Sequence, residues 1–227
     1  MMNSIYKRVW KHKQLSLVGN STAGISTSFV CPELGVAFDV AQGLPWAYTV
    51  PYYLITHSHM DHAAGIPYII SQKALTGQRT PQFYMHPSMV EPMKLIMRTW
   101  EQIEGHQYQY QFTGVETGVD YPLKGALFFR AFPTVHRVSS QGYCIYKKRK
   151  NLKNEFKTLH RQQLVELREK GVELEQYFSE PLLAFTGDTQ IEFLDLSEDV
   201  KSAQILVMEV TYIDEKKSVS SAKEWGH

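Results

Sequence analysis

The stretch "YLITHSHMDHAAGIP", residues 53–67, constrains this chain more than any other. It places His57, His59, Asp61 and His62 within six residues, directly after the apolar run "YYLIT", in a chain with nine histidines altogether. In extended backbone, residues two apart share a side, so His57 and His59 can face one cavity. Asp61 and His62 can reach the same cavity from the turn that follows. Imidazole and carboxylate suit zinc or a similar divalent ion, and two adjacent sites could share one such loop. The plain alternative is a polar surface turn that happens to be rich in histidine. Four ligand-type residues in six positions at the end of an apolar strand argue against it.

A loop of this kind needs rigid strands beneath it, and the rest of the chain supplies them. "TSFVC", "GVAFDV", "QFYMHP", "ALFFRAFPTV", "GYCIYKK", "LLAFTG" and "AQILVMEV" read as further strands. "YIISQKALTG", "SMVEPMKLIMRTWEQIEG" and "FKTLHRQQLVELREKG" read as helices, the second with Ser88 as N-cap and Gly105 as its stop. Strands with helices between them predict α/β layers, and 227 residues suffice for one domain with a real core. His136 follows the strand "FFRAFPTV", and Asp188 in "FTGDT" follows "LLAF". Open α/β sheets place their chemistry at such strand ends. Taken alone, His136 is a structural histidine and "GDT" an ordinary turn. Beside the first cluster both become candidate ligands, because a pocketed metal draws side chains from several loops.

Composition narrows the partners. A formal charge of +1 leaves no whole-molecule field toward nucleic acid, so any attraction to phosphate is local. The basic N-terminus "MMNSIYKRVWKHKQLSLVG" lacks the apolar core of a secretory signal, and no stretch has the roughly 18 apolar residues of a membrane span. Cys31 and Cys144 cannot build a disulfide framework and point to a reducing compartment. The expectation is a soluble, cytoplasmic protein.

"THSHMDHAAGIP" resembles the H-x-H-x-D-H signature of the metallo-β-lactamase superfamily. Further stretches resemble its tRNA 3′-processing branch, ribonuclease Z: "FDVAQG" at 38–43, "HRVSSQGY" at 136–143, "FTGDT" at 185–189, "MEVTY" at 208–212 and "EWGH" at 224–227. The resemblance implies an αββα sandwich with a two-zinc site at one edge, manganese being an alternative metal. It implies one ion on His57, His59 and His136, another on Asp61 and His62, and Asp188 bridging them. A hydroxide between the ions would attack phosphorus, with Asp61 orienting or deprotonating it. Glu209 and His227 would match the pair that protonates the leaving oxygen. The implied substrate is the 3′ extension of a tRNA precursor, and homodimers are common in this branch. The departures are specific. The family's last zinc histidine lies beyond the segment in which this chain ends, so the expectation is a fold short of its final C-terminal elements, with an incomplete second site. Met208 replaces a histidine, "GNSTAGISTS" lacks the basic loop that meets the acceptor end, and no long glycine- and proline-rich arm is visible. It reads as a divergent member.

A local handle for RNA exists. Lys147, Lys148, Arg149 and Lys150 open the run "KKRKNLKNEFKTLHR" and could contact phosphates. A solvated loop leading into the next helix is the other reading. "YQYQFTG" at 108–114 could stack on bases or pack as a strand, and His86 could line the site. His12, His106 and His160 are ordinary residues on this reading. Three functions remain open: an endonuclease resembling ribonuclease Z, a hydrolase of another small phosphodiester, cyclic nucleotide or thioester, and a non-catalytic descendant. The missing arm and loop favour the second, and "HRVSSQGY" with "EVTY" favours the first.

Overall fold

The computed structural model describes residues 7–211 and 218–227. Tyr212, which closes "MEVTY", and the first six residues of the basic N-terminus lie outside that range. Seven strands form the first sheet, in chain order: β1 Arg8–His12, β2 Leu15–Thr22, β3 Ser26–Cys31, β4 Val36–Phe38, β5 Tyr52–Leu54, β6 Gln82–Met85 and β7 Gln111–Gly114. Pairing is antiparallel up to β4 and parallel from β4 to β7, which requires a crossover connection between each parallel pair. The second sheet contains β8 Asp120–Pro122, β9 Leu127–Pro133, β10 Gln141–Leu152, β11 Glu175–Phe185 and β12 Ile205–Val207, antiparallel except for β11 with β12.

The helices are α1 Met60–Ala63, α2 Ile66–Leu75, α3 Pro87–Glu104, α4 Arg161–Glu169, α5 Phe193–Leu196, α6 Glu198–Lys201 and α7 Val219–Trp225. Three apolar layers follow from their placement. Phe29, Val36, Phe38 and Leu54 of the first sheet meet Phe129, Tyr143, Ile145 and Phe185 of the second. Behind the first sheet, Val30, Tyr53, Ile55 and Phe83 pack on Ile66, Ile69 and Ile70 of α2 and on Met89, Met93 and Met97 of α3. Behind the second, Phe128, Phe132 and Tyr146 pack on Phe193 and Val200. Helix, sheet, sheet, helix is the expected αββα layering.

Where the elements differ from the sequence reading, the cause is local chemistry. β1 and β2 were not foreseen, although "LSLVGN" alternates buried and half-buried side chains as a half-covered strand should. Helix α3 begins one residue before Ser88: His86 is its cap, and its ring nitrogen accepts from the Ser88 backbone N–H. His86 is thereby committed to the helix end instead of the site. Gly105 stops that helix as expected, with φ of 64°. Helix α4 starts at Arg161, after a single 3₁₀ turn at Asn154–Phe156, so "FKTL" is not helical. "YQYQFTG" supplies β7, with Phe112 packed on Phe83.

The basic run is not a loop. Lys147 to Lys150 continue β10 and pair residue by residue with Glu180 to Tyr177 on β11. β11 likewise reaches back to Glu175, whereas the strand in "AQILVMEV" is confined to Ile205–Val207. The chain leaves the sheet there, and Glu209 turns toward the end of the sandwich where the histidines collect.

Candidate metal centre

β5 delivers the first loop. After Leu54 the chain stays extended through Thr56 and His57, then turns into α1 with Asp61 and His62 in its single turn. His57 and His62 are buried. His136 arrives from the β9–β10 connection and Asp188 from the turn after β11. Gly187, at φ 64°, makes that turn possible: a Cβ there would lie 2.5 Å from Thr56 Oγ1. One ligand atom each from His57, His59, His136 and Asp188 lie mutually within 4.8 Å, as do those of Asp188, Glu209 and His227.

Hydrogen bonds at the outer ring nitrogens set which way the lone pairs face. The Thr56 hydroxyl donates its one proton to Asp39 Oδ2 (2.8 Å), so at 3.0 Å it accepts from His57 Nδ1–H. His62 Nδ1–H donates to Asp39 Oδ2 at 2.8 Å, and His136 Nδ1–H donates to the Gly226 carbonyl at 2.8 Å. Each ring is held by its outer nitrogen, which turns Nε2 inward. His59 Nδ1 faces His57 Nε2 at 3.1 Å and His136 Nε2 at 3.3 Å. Lone pairs converging at such distances, beside the Asp188 carboxylate, form a donor set that fits a divalent cation of the zinc type.

The second expected set centres on His62, whose Nε2 lies 3.5 Å from Asp61 Oδ2 and 3.5 Å from Asp188 Oδ1. Burial, reinforced by the charge on His62, pushes His57 down to about 2, so it stays neutral as a ligand must. Burial also lowers His59, with His136 adding to the effect. Burial pushes His62 down as well, but the charge of Asp39 and hydrogen bonds to Asp188 and Asp39 prevail and lift it to about 10. Burial would raise Asp188 too, but the His62 hydrogen bond and the charges of His62 and His57 hold it well below the usual carboxylate range. In the protein alone, a proton on His62 Nε2 occupies the position from which that nitrogen would bind a metal.

No family model matches the chain. It is 29% identical over 223 residues to tRNase Z TRZ1 of Arabidopsis thaliana, covering 97% of this chain and 80% of that one. It is 32% identical over 217 residues to the chloroplastic tRNase Z TRZ2 of the same plant, covering 93% of this chain and 60% of the relative. Over nearly its whole length the chain is similar to tRNase Z proteins. The human short-form tRNase Z superposes with a TM-score of 0.53 at 18% identity, over 94% of this chain and 77% of that one. The metallo-β-lactamase fold protein YhfI of Bacillus subtilis superposes at 0.55 with 14% identity, over 92% and 71%. These two likenesses establish the metallo-β-lactamase fold.

Two further candidate residues, Glu209 and His227, pair at the same end of the sandwich. His227 Nδ1 sits 2.7 and 2.8 Å from the Glu209 oxygens, and Glu209 Oε1 accepts from the Thr189 backbone N–H at 2.6 Å. Both face the cavity that also holds His59, Asp61, His62, His136 and Asp188, about 590 Å³ in volume. Lys147 to Lys150 are elsewhere, on the β10–β11 hairpin.

Sequence reasoning passed over Asp39, matching "FDVAQG" only as a strand and turn. Its carboxylate is fully buried, receives the Thr56 N–H and hydroxyl, and holds His62. The signal was available: an acid at the end of the apolar strand "GVAF" needs partners to remain buried.

Proposed function

We propose that this chain is a metal-dependent endoribonuclease that cuts 3′ extensions from tRNA precursors. The observation that carries the reading is the convergence of His57, His59, His136 and Asp188 beside the Glu209–His227 pair, in a chain similar to tRNase Z proteins. Zinc suits the donor set, with manganese as the alternative. Of two ions, one would sit on His57, His59 and His136 and one on Asp61 and His62, with Asp188 between. Such ions, when bound, supply Lewis acidity toward phosphoryl oxygens and lower the pKa of water. The chain's own residues do the rest. Asp61 orients the attacking water and takes its proton. Asp188 and His62 keep the anionic side of the site fixed through the His62–Asp39 bond. His227, held by Glu209, returns a proton to the leaving oxygen.

Two supporting readings belong with it. Lys147, Lys148, Arg149 and Lys150 would contact RNA from the hairpin. The protein would act as a homodimer through the outer face of α3, where Leu95, Ile96, Trp100 and Ile103 are exposed. No helix among the described residues is long and apolar enough to cross a membrane, and Cys31 and Cys144 are buried and in no disulfide, in keeping with a cytoplasmic site of action.

The deciding experiment supplies a 3′-extended tRNA precursor to the zinc- or manganese-loaded protein, with a chelator control. A single cut at the acceptor end, lost in Asp61→Ala, is the expected result. A folded, metal-loaded protein that leaves the precursor intact transfers the site to a smaller phosphodiester.

A further inference from the structure

The mouth of the site is short of positive charge. Its lining includes the uncharged Ser21, Ala23, Gly24, Thr27, Met208 and Val210 and the acidic Asp61, Asp188 and Glu209. Among the described lining residues the only permanently charged cation is Arg137. We propose that Arg137 is the specificity-determining residue of this mouth, binding a phosphate of the RNA next to the bond that is cut. This rests on the reading of the site as a phosphodiesterase and names the group that recognises its substrate.

The placement of Arg137 is built, not incidental. It directly follows His136, whose Nδ1–H is fastened to the Gly226 carbonyl at 2.8 Å. The residue before that glycine, Trp225, lies beneath the guanidinium, whose carbon sits 4.8 Å from the ring centroid. A hydrogen bond and a cation–π contact from one turn at the end of α7 therefore fix two consecutive residues of the β9–β10 connection. Gly226 is shaped for this approach: at φ 80°, a Cβ would meet His136 Nδ1 at 2.9 Å and Arg137 Cγ at 3.0 Å. Within the described residues no carboxylate pairs with Arg137, so its planar set of N–H donors is available at the rim, the geometry that binds phosphate in two places at once. Stacking on Trp225 takes the ring face and leaves the guanidinium edge to the ligand. Holding the group before RNA arrives reduces the ordering cost of binding.

The test uses the full chain with Arg137→Ala, Arg137→Lys and Trp225→Ala. Binding of a fluorescein-labelled 3′-extended tRNA precursor is followed by anisotropy across salt, with chelator and with zinc. In parallel, bis(4-nitrophenyl) phosphate, too small to need the rim, reports the metal chemistry. Arg137→Ala should weaken RNA binding about tenfold and lower the salt slope by about one, as for loss of a single phosphate contact. It should lose more on RNA than on the small diester, and in RNA cleavage KM should rise while kcat holds. Arg137→Lys should recover part of the affinity, and Trp225→Ala should fall between. Unchanged affinity and slope in Arg137→Ala would overturn the proposal, as would an original chain that binds no RNA. An original chain that binds RNA through Arg137 without cutting it would refute the nuclease reading and keep this one.

Discussion

Asp39 shows how one residue outside the ligand set can govern it. It adopts φ of 51°, a left-handed conformation that aspartate tolerates better than most, and Ala41 shares it at 47°. The turn is held by Val40 and Ala41 N–H groups donating to the His62 carbonyl, which keeps the carboxylate against the His62 ring. A pH prediction follows with a definite sign. His62 is lifted from an ordinary 6.5 to about 10, so at neutral pH it is protonated before a metal enters. Metal uptake at pH 7.5 should then expel about one proton, measurable by calorimetry in buffers of differing ionisation enthalpy, and affinity should rise with pH toward about 10. Asp39→Asn removes the charge that lifts His62. The released proton should largely vanish, and zinc affinity should fall about 10–100-fold through the misheld ring. An Asp39→Asn protein with unaltered proton release and affinity would show that the carboxylate does not act through His62.

At the scale of elements, the β10–β11 hairpin changes how the basic run is understood. As strand residues, its cations are ordered by pairing across the hairpin. Arg149 Nε lies 2.6 Å from Glu180 and Lys150 Nζ lies 2.7 Å from Glu175, while Lys148 sits over the Phe128 ring. Exposed pairs of this kind contribute about 0–1 kcal/mol each, so they shape the hairpin more than they stabilise it. The four cations should therefore not contribute equally to RNA. Lys147→Ala with Lys148→Ala should reduce the salt slope of binding by about two, since neither side chain is engaged with an acid. Arg149→Ala with Lys150→Ala should reduce it less, because Glu180 and Glu175 already offset those charges. Equal losses from both double variants would mean that the hairpin acts only as a diffuse positive surface.

At the scale of the molecule, α3 separates two kinds of apolar surface. Met89, Met93 and Met97 face the first sheet, and Leu95, Ile96, Trp100 and Ile103 remain outside. A second copy covering that face would remove a large aromatic and three aliphatic side chains from water, worth about 1.5–3 kcal/mol for each that is fully buried. Light scattering should report a dimer for the original chain and a monomer for Trp100→Glu at the same concentration. A monomeric original chain would leave α3 without that role.

The sequence by itself determined the alternation of strands and helices, and its motifs implied the αββα layering through a family resemblance. Short apolar runs ending just before His57, His136 and Asp188 are local signals, and each is read within a few residues of the chain. It also showed that "GNSTAGISTS" lacks the basic loop that the family resemblance leads one to expect. What only the tertiary structure decided were the contacts between segments far apart in sequence. Asp39 meets His62 across 23 positions, and His136 meets Gly226 across 90. Such pairs leave no local pattern, because each is made by sheet register and by the packing of one connection on another. The same holds for the hairpin: a run of lysines reads as a solvated loop until the opposing strand supplies its hydrogen bonds. Arg137 is the clearest case. In the sequence it is one cation after a histidine, and only the turn carrying Trp225 and Gly226 places it at the mouth.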